Sequence, residues 1–92
     1  MLESTLEQKI VRYVKSLGGR AFKWVSPGTP GVPDRIIILP GGRIIFAELK
    51  RPGTKDGRSI RQVKIFTLLK ALGCDVWLVS DFEEFKERLH GI

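Results

Sequence analysis

Asp34, Glu48 and Lys50 are the residues of this 92-residue chain whose types and spacing suggest chemistry. Asp34 follows Pro33, and Glu48-Leu49-Lys50 comes after two apolar runs, giving the pattern Asp-x13-Glu-x-Lys. Two converging carboxylates offer the oxygen ligands that Mg²⁺ prefers, with waters and a substrate phosphate completing its shell. A lysine beside them can hold a water or neutralise charge building on phosphate. A bound cation lowers the pKa of water and stabilises developing negative charge. Together these parts suffice for phosphodiester hydrolysis, provided the fold brings the three side chains together.

The stretch Gly31–Lys50 is built to do so. Its apolar runs, Ile36–Leu39 and Ile44–Ala47, flank Pro40-Gly41-Gly42, and the whole reads as a β-hairpin. Side chains alternate along a strand, so Glu48 and Lys50 share a side, roughly 6.6 Å apart at about 3.3 Å per residue. A turn centred near Gly41 pairs residues whose numbers sum to about 82, which sets Asp34 opposite Glu48 at a Cα separation of about 4.5–5.5 Å. Like charges so placed destabilise a sheet, and a divalent cation removes the conflict. The bland alternative is a surface hairpin that happens to carry these residues.

The remaining elements follow from periodicity. Leu2, Leu6, Ile10, Tyr13, Val14 and Leu17 predict a first helix ending at Gly18-Gly19, with Ser4 and Glu7 as a capping box. Glu3 and Glu7 lie near its apolar stripe, as capping groups or as part of a site. Arg20–Val25 predicts a short strand with Phe22 and Trp24 on one face. Ser26–Pro33, rich in proline and glycine, predicts a loop leading into Asp34. Ile60–Leu72 predicts a second helix with Ile65, Phe66, Leu69 and Leu72 on one face, Gln62 along the buried side and Gly73 as its stop. Cys74–Val79 predicts a last strand. Ser80-Asp81-Phe82-Glu83 reads as a capping box opening a third helix that packs through Phe82, Phe85 and Leu89. The order is αβββαβα, an α/β fold with helices covering a mixed sheet, and residues 1–92 are expected to form a single domain.

Composition narrows the function classes. The hydrophobic share, 42%, is enough for one core and argues against wholesale disorder. No apolar run reaches the roughly 18 residues of a membrane span, and the polar start does not resemble a signal peptide. Cys74 is the sole cysteine, which excludes an internal disulfide framework and fits a reducing, cytoplasmic setting. Its place before Val76–Val79 suits a buried structural thiol better than a nucleophile, and His90, at a helix end, suits a solvated role. The net charge of +6 suggests a polyanionic partner. Lys50, Arg51, Lys55, Arg58, Arg61 and Lys64 face a single acid, Asp56, between positions 50 and 64. This places a basic patch beside the carboxylates.

Pro33-Asp34 with Glu48-Leu49-Lys50 resembles the PD-(D/E)xK nuclease signature. More narrowly, Ser26-Pro-Gly, Gly31-Val-Pro-Asp-Arg35, Leu39-Pro-Gly-Gly42, Glu48-Leu-Lys-Arg-Pro52 and Gln62 resemble the VRR-NUC family, especially its small stand-alone phage and bacterial members. The resemblance spans nearly the whole chain. It implies a restriction-endonuclease-like core using Mg²⁺ or Mn²⁺, with Asp34, Glu48 and the Leu49 backbone carbonyl as metal ligands and Lys50 as the catalytic lysine. Gln62 resembles the glutamine that supports such sites from the helix after the ExK strand. Glu7 resembles the first-helix glutamate that junction resolvases place near the metal, with Glu3 the competing choice. Ser26, Arg35, Arg51, Lys55, Arg58 and Arg61 are the expected DNA contacts, although Ser26 has an equally good reading as a loop-forming residue. The implied activity is a structure-specific DNA endonuclease, above all a homodimeric Holliday-junction resolvase acting on four-way branched DNA. The rivals are a flap- or end-processing nuclease and a non-catalytic nucleic-acid-binding module.

Overall fold

The computed structural model describes residues 5–50 and 58–91. In chain order these form α1 (Leu6–Ser16), β1 (Arg20–Lys23), β2 (Arg35–Leu39), β3 (Arg43–Leu49), α2 (Ile60–Ala71), β4 (Val76–Val79) and α3 (Phe82–Leu89), the order read from the sequence. The sheet order is β1-β2-β3-β4. The first three strands are antiparallel and β4 runs parallel to β3, so the sheet is mixed.

The β2–β3 hairpin sits at the centre. Its tip is Pro40-Gly41-Gly42, where both glycines take positive φ, 89° and 82°, a backbone that few other residues adopt without strain. The ladder pairs Leu39 with Arg43 and Arg35 with Ala47, the register that the turn position predicts. Alternation then divides the side chains. Ile37, Leu39, Ile45, Ala47, Trp77 and Val79 pack with Ile10 and Val14 of α1 and Phe85 and Leu89 of α3 to form the main core. Ile37 and Ile45 are fully buried, so truncation of either to alanine would cost about 2–5 kcal/mol. The opposite face carries Phe22, Ile36, Phe46, Glu48 and Leu78, and α2 covers it only in part. Trp24 packs on Phe46 there, with ring centroids 5.0 Å apart.

Several local expectations are corrected. The cap of α1 is Thr5, not Ser4, and its capping-box partner is Gln8, not Glu7. α3 is capped by Asp81, whose side chain accepts from the Glu84 amide, so the Ser80–Glu83 box does not form. Each Ser-x-x-Glu pattern was one residue out of step with the helix start. β1 stops at Lys23, leaving Val25 exposed beyond it. β4 begins at Val76 rather than Cys74, and Cys74 is half-buried as a free thiol. In α2 only Phe66 is fully buried, while Leu72 is 69% exposed. His90 is exposed at the end of α3, as the sequence suggests, and its Nε2 meets the Tyr13 hydroxyl at 2.5 Å, which ties α3 to α1. Among the described residues, no helix is long and apolar enough to cross a membrane.

Candidate active site

The hairpin's open end brings Asp34 and Glu48 together, as the register requires. Asp34 immediately precedes β2, and its carbonyl accepts the Trp24 amide at 3.0 Å, extending the β1–β2 pairing by one step. Its Oδ2 accepts the Leu49 amide at 2.9 Å, which aims the carboxylate across the hairpin at β3. Glu48 is 7% exposed, the sole buried charged residue among those described. Its Oε2 accepts from Gln62 Nε2 at 2.8 Å. Its Oε1 is buried with no hydrogen-bond partner among the described residues.

These surroundings push the Glu48 carboxyl above its ordinary pKa. Burial is the main cause, and the adjacent Asp34 charge adds to it. The Gln62 hydrogen bond and the Lys50 charge act in the opposite direction without cancelling the rise. The Lys50 backbone amide donates to the Val79 carbonyl at 2.8 Å, and its charge acts on Glu48.

An orphaned carboxylate oxygen beside a second carboxylate is costly unless something fills the gap. A hard divalent cation does so, since it is bound by oxygen and neutralises both acids. The paired carboxylates of Asp34 and Glu48 therefore fit an oxygen-bound divalent ion of the kind that the resemblance implies. Among the described residues, no group of three or more acidic, histidine or cysteine side chains converges.

Glu7 does not join the pair. Released from capping, it meets Arg35, with Oε2 at 2.9 Å from Nε and 2.8 Å from a terminal guanidinium nitrogen. Arg35 also donates to the Ala21 carbonyl at 3.1 Å, so its guanidinium ties α1 to the β1–β2 edge. Glu3 lies outside the described residues, as do Arg51 and Lys55. Arg58 sits over the Phe66 ring, 5.2 Å from its centroid. Arg61 is exposed on the first turn of α2, and Ser26 opens a turn in which its carbonyl accepts the Thr29 amide at 3.1 Å.

Gln62 reaches Glu48 because the start of α2 orients it. Ser59 caps the helix, its hydroxyl accepting the Gln62 amide at 3.1 Å, while the Ser59 amide donates to Gln62 Oε1 at 3.1 Å. This is a complete capping box. With Oε1 engaged by an N–H donor, the Gln62 side chain must present its NH₂ end to the carboxylate. Ser59 was absent from the sequence reading of the site, although its signal was present: a serine followed three residues later by glutamine at the start of an apolar run.

No protein-family profile matches the chain. A protein of Acyrthosiphon pisum secondary endosymbiont phage 1, named "Putative nuclease p44", is 41% identical over 90 residues, covering 98% of this chain and 94% of that one. A solved structure described as a VRR_NUC domain superposes with a TM-score of 0.82 at 26% identity, over 94% of this chain and 91% of the other.

Proposed function

This chain belongs to the VRR-NUC family of nucleases, and on that premise we propose that it is a metal-dependent, structure-specific DNA endonuclease that resolves four-way junctions as a homodimer. The observation that carries the metal dependence is the buried Glu48 Oε1, without a hydrogen-bond partner among the described residues, on a carboxyl that the Asp34 charge acts on. Asp34, Glu48 and the Leu49 carbonyl would hold Mg²⁺ or Mn²⁺, which would supply charge neutralisation and the activation of water for hydrolysis.

The chain's own groups do the rest. The Leu49 amide and Gln62 each fix one carboxylate oxygen, which leaves Asp34 and Glu48 a second oxygen each to offer a metal. Lys50 places a positive charge on the Glu48 side, where it holds water and offsets charge on the scissile phosphate. Arg58 and Arg61 lie beside Gln62 at the start of α2 and form the described part of a basic surface for the DNA backbone. Ser26 remains a proposed phosphate contact, while Glu7 holds Arg35 and supports the attachment of α1 rather than the metal.

One site per chain cuts one strand, and a junction needs paired cuts. A two-fold dimer answers that need and is the commonest assembly. Phe22, Ile38 and Ile44 on the sheet and Leu68 and Leu72 on α2 leave apolar surface exposed, of the kind that self-association covers.

The test is cleavage of four-way junction, flap, duplex and single-stranded DNA with Mn²⁺ by the wild type and by Lys50→Ala. The expected result is junction cleavage that Lys50→Ala loses. Preferential cleavage of flaps or ends would replace the junction reading with a processing nuclease. Binding without any cleavage would leave a nucleic-acid-binding module. A strictly monomeric mass in solution would contradict paired cutting.

A further inference from the structure

The loop before Asp34 and the first turn of α2 touch at Gly31, and the contact leaves no room for a side chain. A Cβ at Gly31 would lie 2.8 Å from both the carbonyl carbon and the carbonyl oxygen of Arg61, and 3.0 Å from the Gln62 amide nitrogen. Those atoms are helix backbone, which cannot swing aside as a side chain can. Gly31 also has φ +98°, a conformation that L-residues adopt only with strain. Gly28, in the same loop, has no atom within 4 Å of its notional Cβ and no positive φ. The close approach is therefore local to one residue.

Its position gives it a consequence. Gly31 stands three residues before Asp34 and packs on the peptide between Arg61 and Gln62. Gln62 in turn donates to Glu48 at 2.8 Å. Asp34 is fastened to the Leu49 amide on the same strand as Glu48. The glycine thus closes a ring of contacts that runs from the loop to α2, to Glu48, across β3 and back to Asp34. We propose that Gly31 is a positioning residue: its bare backbone seats the Asp34 loop on α2 at the one distance from which Gln62 can hold Glu48. A methyl group there pushes the first turn of α2 outward, and the Gln62 amide leaves the carboxylate.

This inference rests on the nuclease reading for its effect on turnover, but not for its effect on geometry, and the experiment separates the two. In ¹⁵N spectra of the wild type, the Gln62 side-chain NH₂ pair, identified by its loss in Gln62→Leu, is expected away from the ordinary glutamine position because it donates to a carboxylate. Gly31→Ala should return it to that position, while Gly28→Ala leaves it unchanged. Cleavage should fall about 10- to 100-fold in Gly31→Ala, the scale of a displacement of about 1 Å in a positioned group. The double variant Gly31→Ala/Gln62→Leu should be no worse than the more damaging single change, since both break one linkage. If Gly31→Ala does not fold, the wild type still decides, because the Gly31 α-protons must show a nuclear Overhauser contact with the Gln62 backbone amide. An unshifted Gln62 NH₂ pair in a folded Gly31→Ala variant, independent losses in the double variant, or absence of that Overhauser contact would each overturn the proposal. The amide readout needs no turnover, so a chain that cut no DNA would refute the nuclease reading while the amide shift still decided the role of Gly31.

Discussion

Replacing Glu48 with glutamine should make the metal-free protein more stable while destroying its activity. The isosteric side chain keeps one acceptor for Gln62 Nε2, which now donates to Glu48 Oε2 at 2.8 Å. Its NH₂ group takes the place of the buried Oε1 that has no partner among the described residues. A repulsive neighbour of Asp34 thereby becomes a donor to it. Satisfying a buried polar group of this kind is worth about 1–3 kcal/mol. In a domain of this size each kcal/mol moves Tm by about 4–8 °C, so a rise of about 4–24 °C is expected at neutral pH in chelator. The pH dependence has a definite sign. The folded pKa of Glu48 is raised, chiefly by burial and then by Asp34, so the folded state binds the proton more tightly than the unfolded state does. The contribution of Glu48 to stability is therefore greatest below its ordinary pKa and is lost as pH rises through the folded value. The gap between variant and wild type should narrow on acidification, where protonated Glu48 can itself donate to Asp34. Thermal unfolding followed by circular dichroism, with and without Mn²⁺, measures all of this. Mn²⁺ should raise the wild-type Tm and leave the variant unchanged. A glutamine variant no more stable than wild type in chelator at neutral pH would refute the reasoning that Glu48 is held as a strained charge awaiting a cation.

Other perturbations test neighbouring parts of the account. Gln62→Leu removes the hydrogen bond that lowers the Glu48 pKa, so the acid limb of the pH–rate profile should move to higher pH, and calorimetry should show Mn²⁺ affinity about 10- to 100-fold weaker. Ser59→Ala should cost about 1 kcal/mol of stability through the lost cap, and it should lower the cleavage rate as well, because the Gln62 amide is no longer anchored by the box. A stability loss with unchanged rate would show that the cap and the site are independent. Arg35→Ala breaks the Glu7 pair and the bond to the Ala21 carbonyl, and denaturant unfolding should report a loss of about 1–3 kcal/mol. Its Mn²⁺ affinity should stay within about twofold, since both partners belong to the α1 attachment; a large loss would restore Glu7 to the metal site.

The central geometry was legible because it depends on short-range rules. Pro40-Gly41-Gly42 fixes the turn, the turn fixes the register, and that register, carried one step past Arg35–Ala47, sets Asp34 opposite Glu48. Helix starts were less legible. Ser4–Glu7 and Ser80–Glu83 match the capping signature as well as Thr5–Gln8 and the Asp81 cap do, and only the packed helix selects between neighbouring choices. The correction at α1 matters for the site, because a Glu7 that does not cap is free to pair with Arg35. At α2 the Ser59–Gln62 box is readable as a serine followed three residues later by glutamine, but that Gln62 both caps the helix and binds Glu48 emerges only from the packing of α2 on β3. Gly31 belongs to the Gly31-Val-Pro-Asp-Arg35 string that carries the resemblance, but its close approach to α2 is not legible in that pattern. A glycine in a proline-rich loop looks permissive, and only the approach of α2, thirty residues further on, shows that the position tolerates no side chain.

Binding and cleavage measured side by side for Asp34→Ala on four-way junction DNA in Mn²⁺ decide whether the open end of the hairpin is the active site. Asp34 and Glu48 share the metal in this account, and the DNA backbone is held by basic residues elsewhere. The wild type should therefore bind and cut, and Asp34→Ala should bind with affinity within a few-fold while cleavage falls at least about 10³-fold. Undiminished cleavage by Asp34→Ala would contradict the assignment of the active site to the open end of the hairpin.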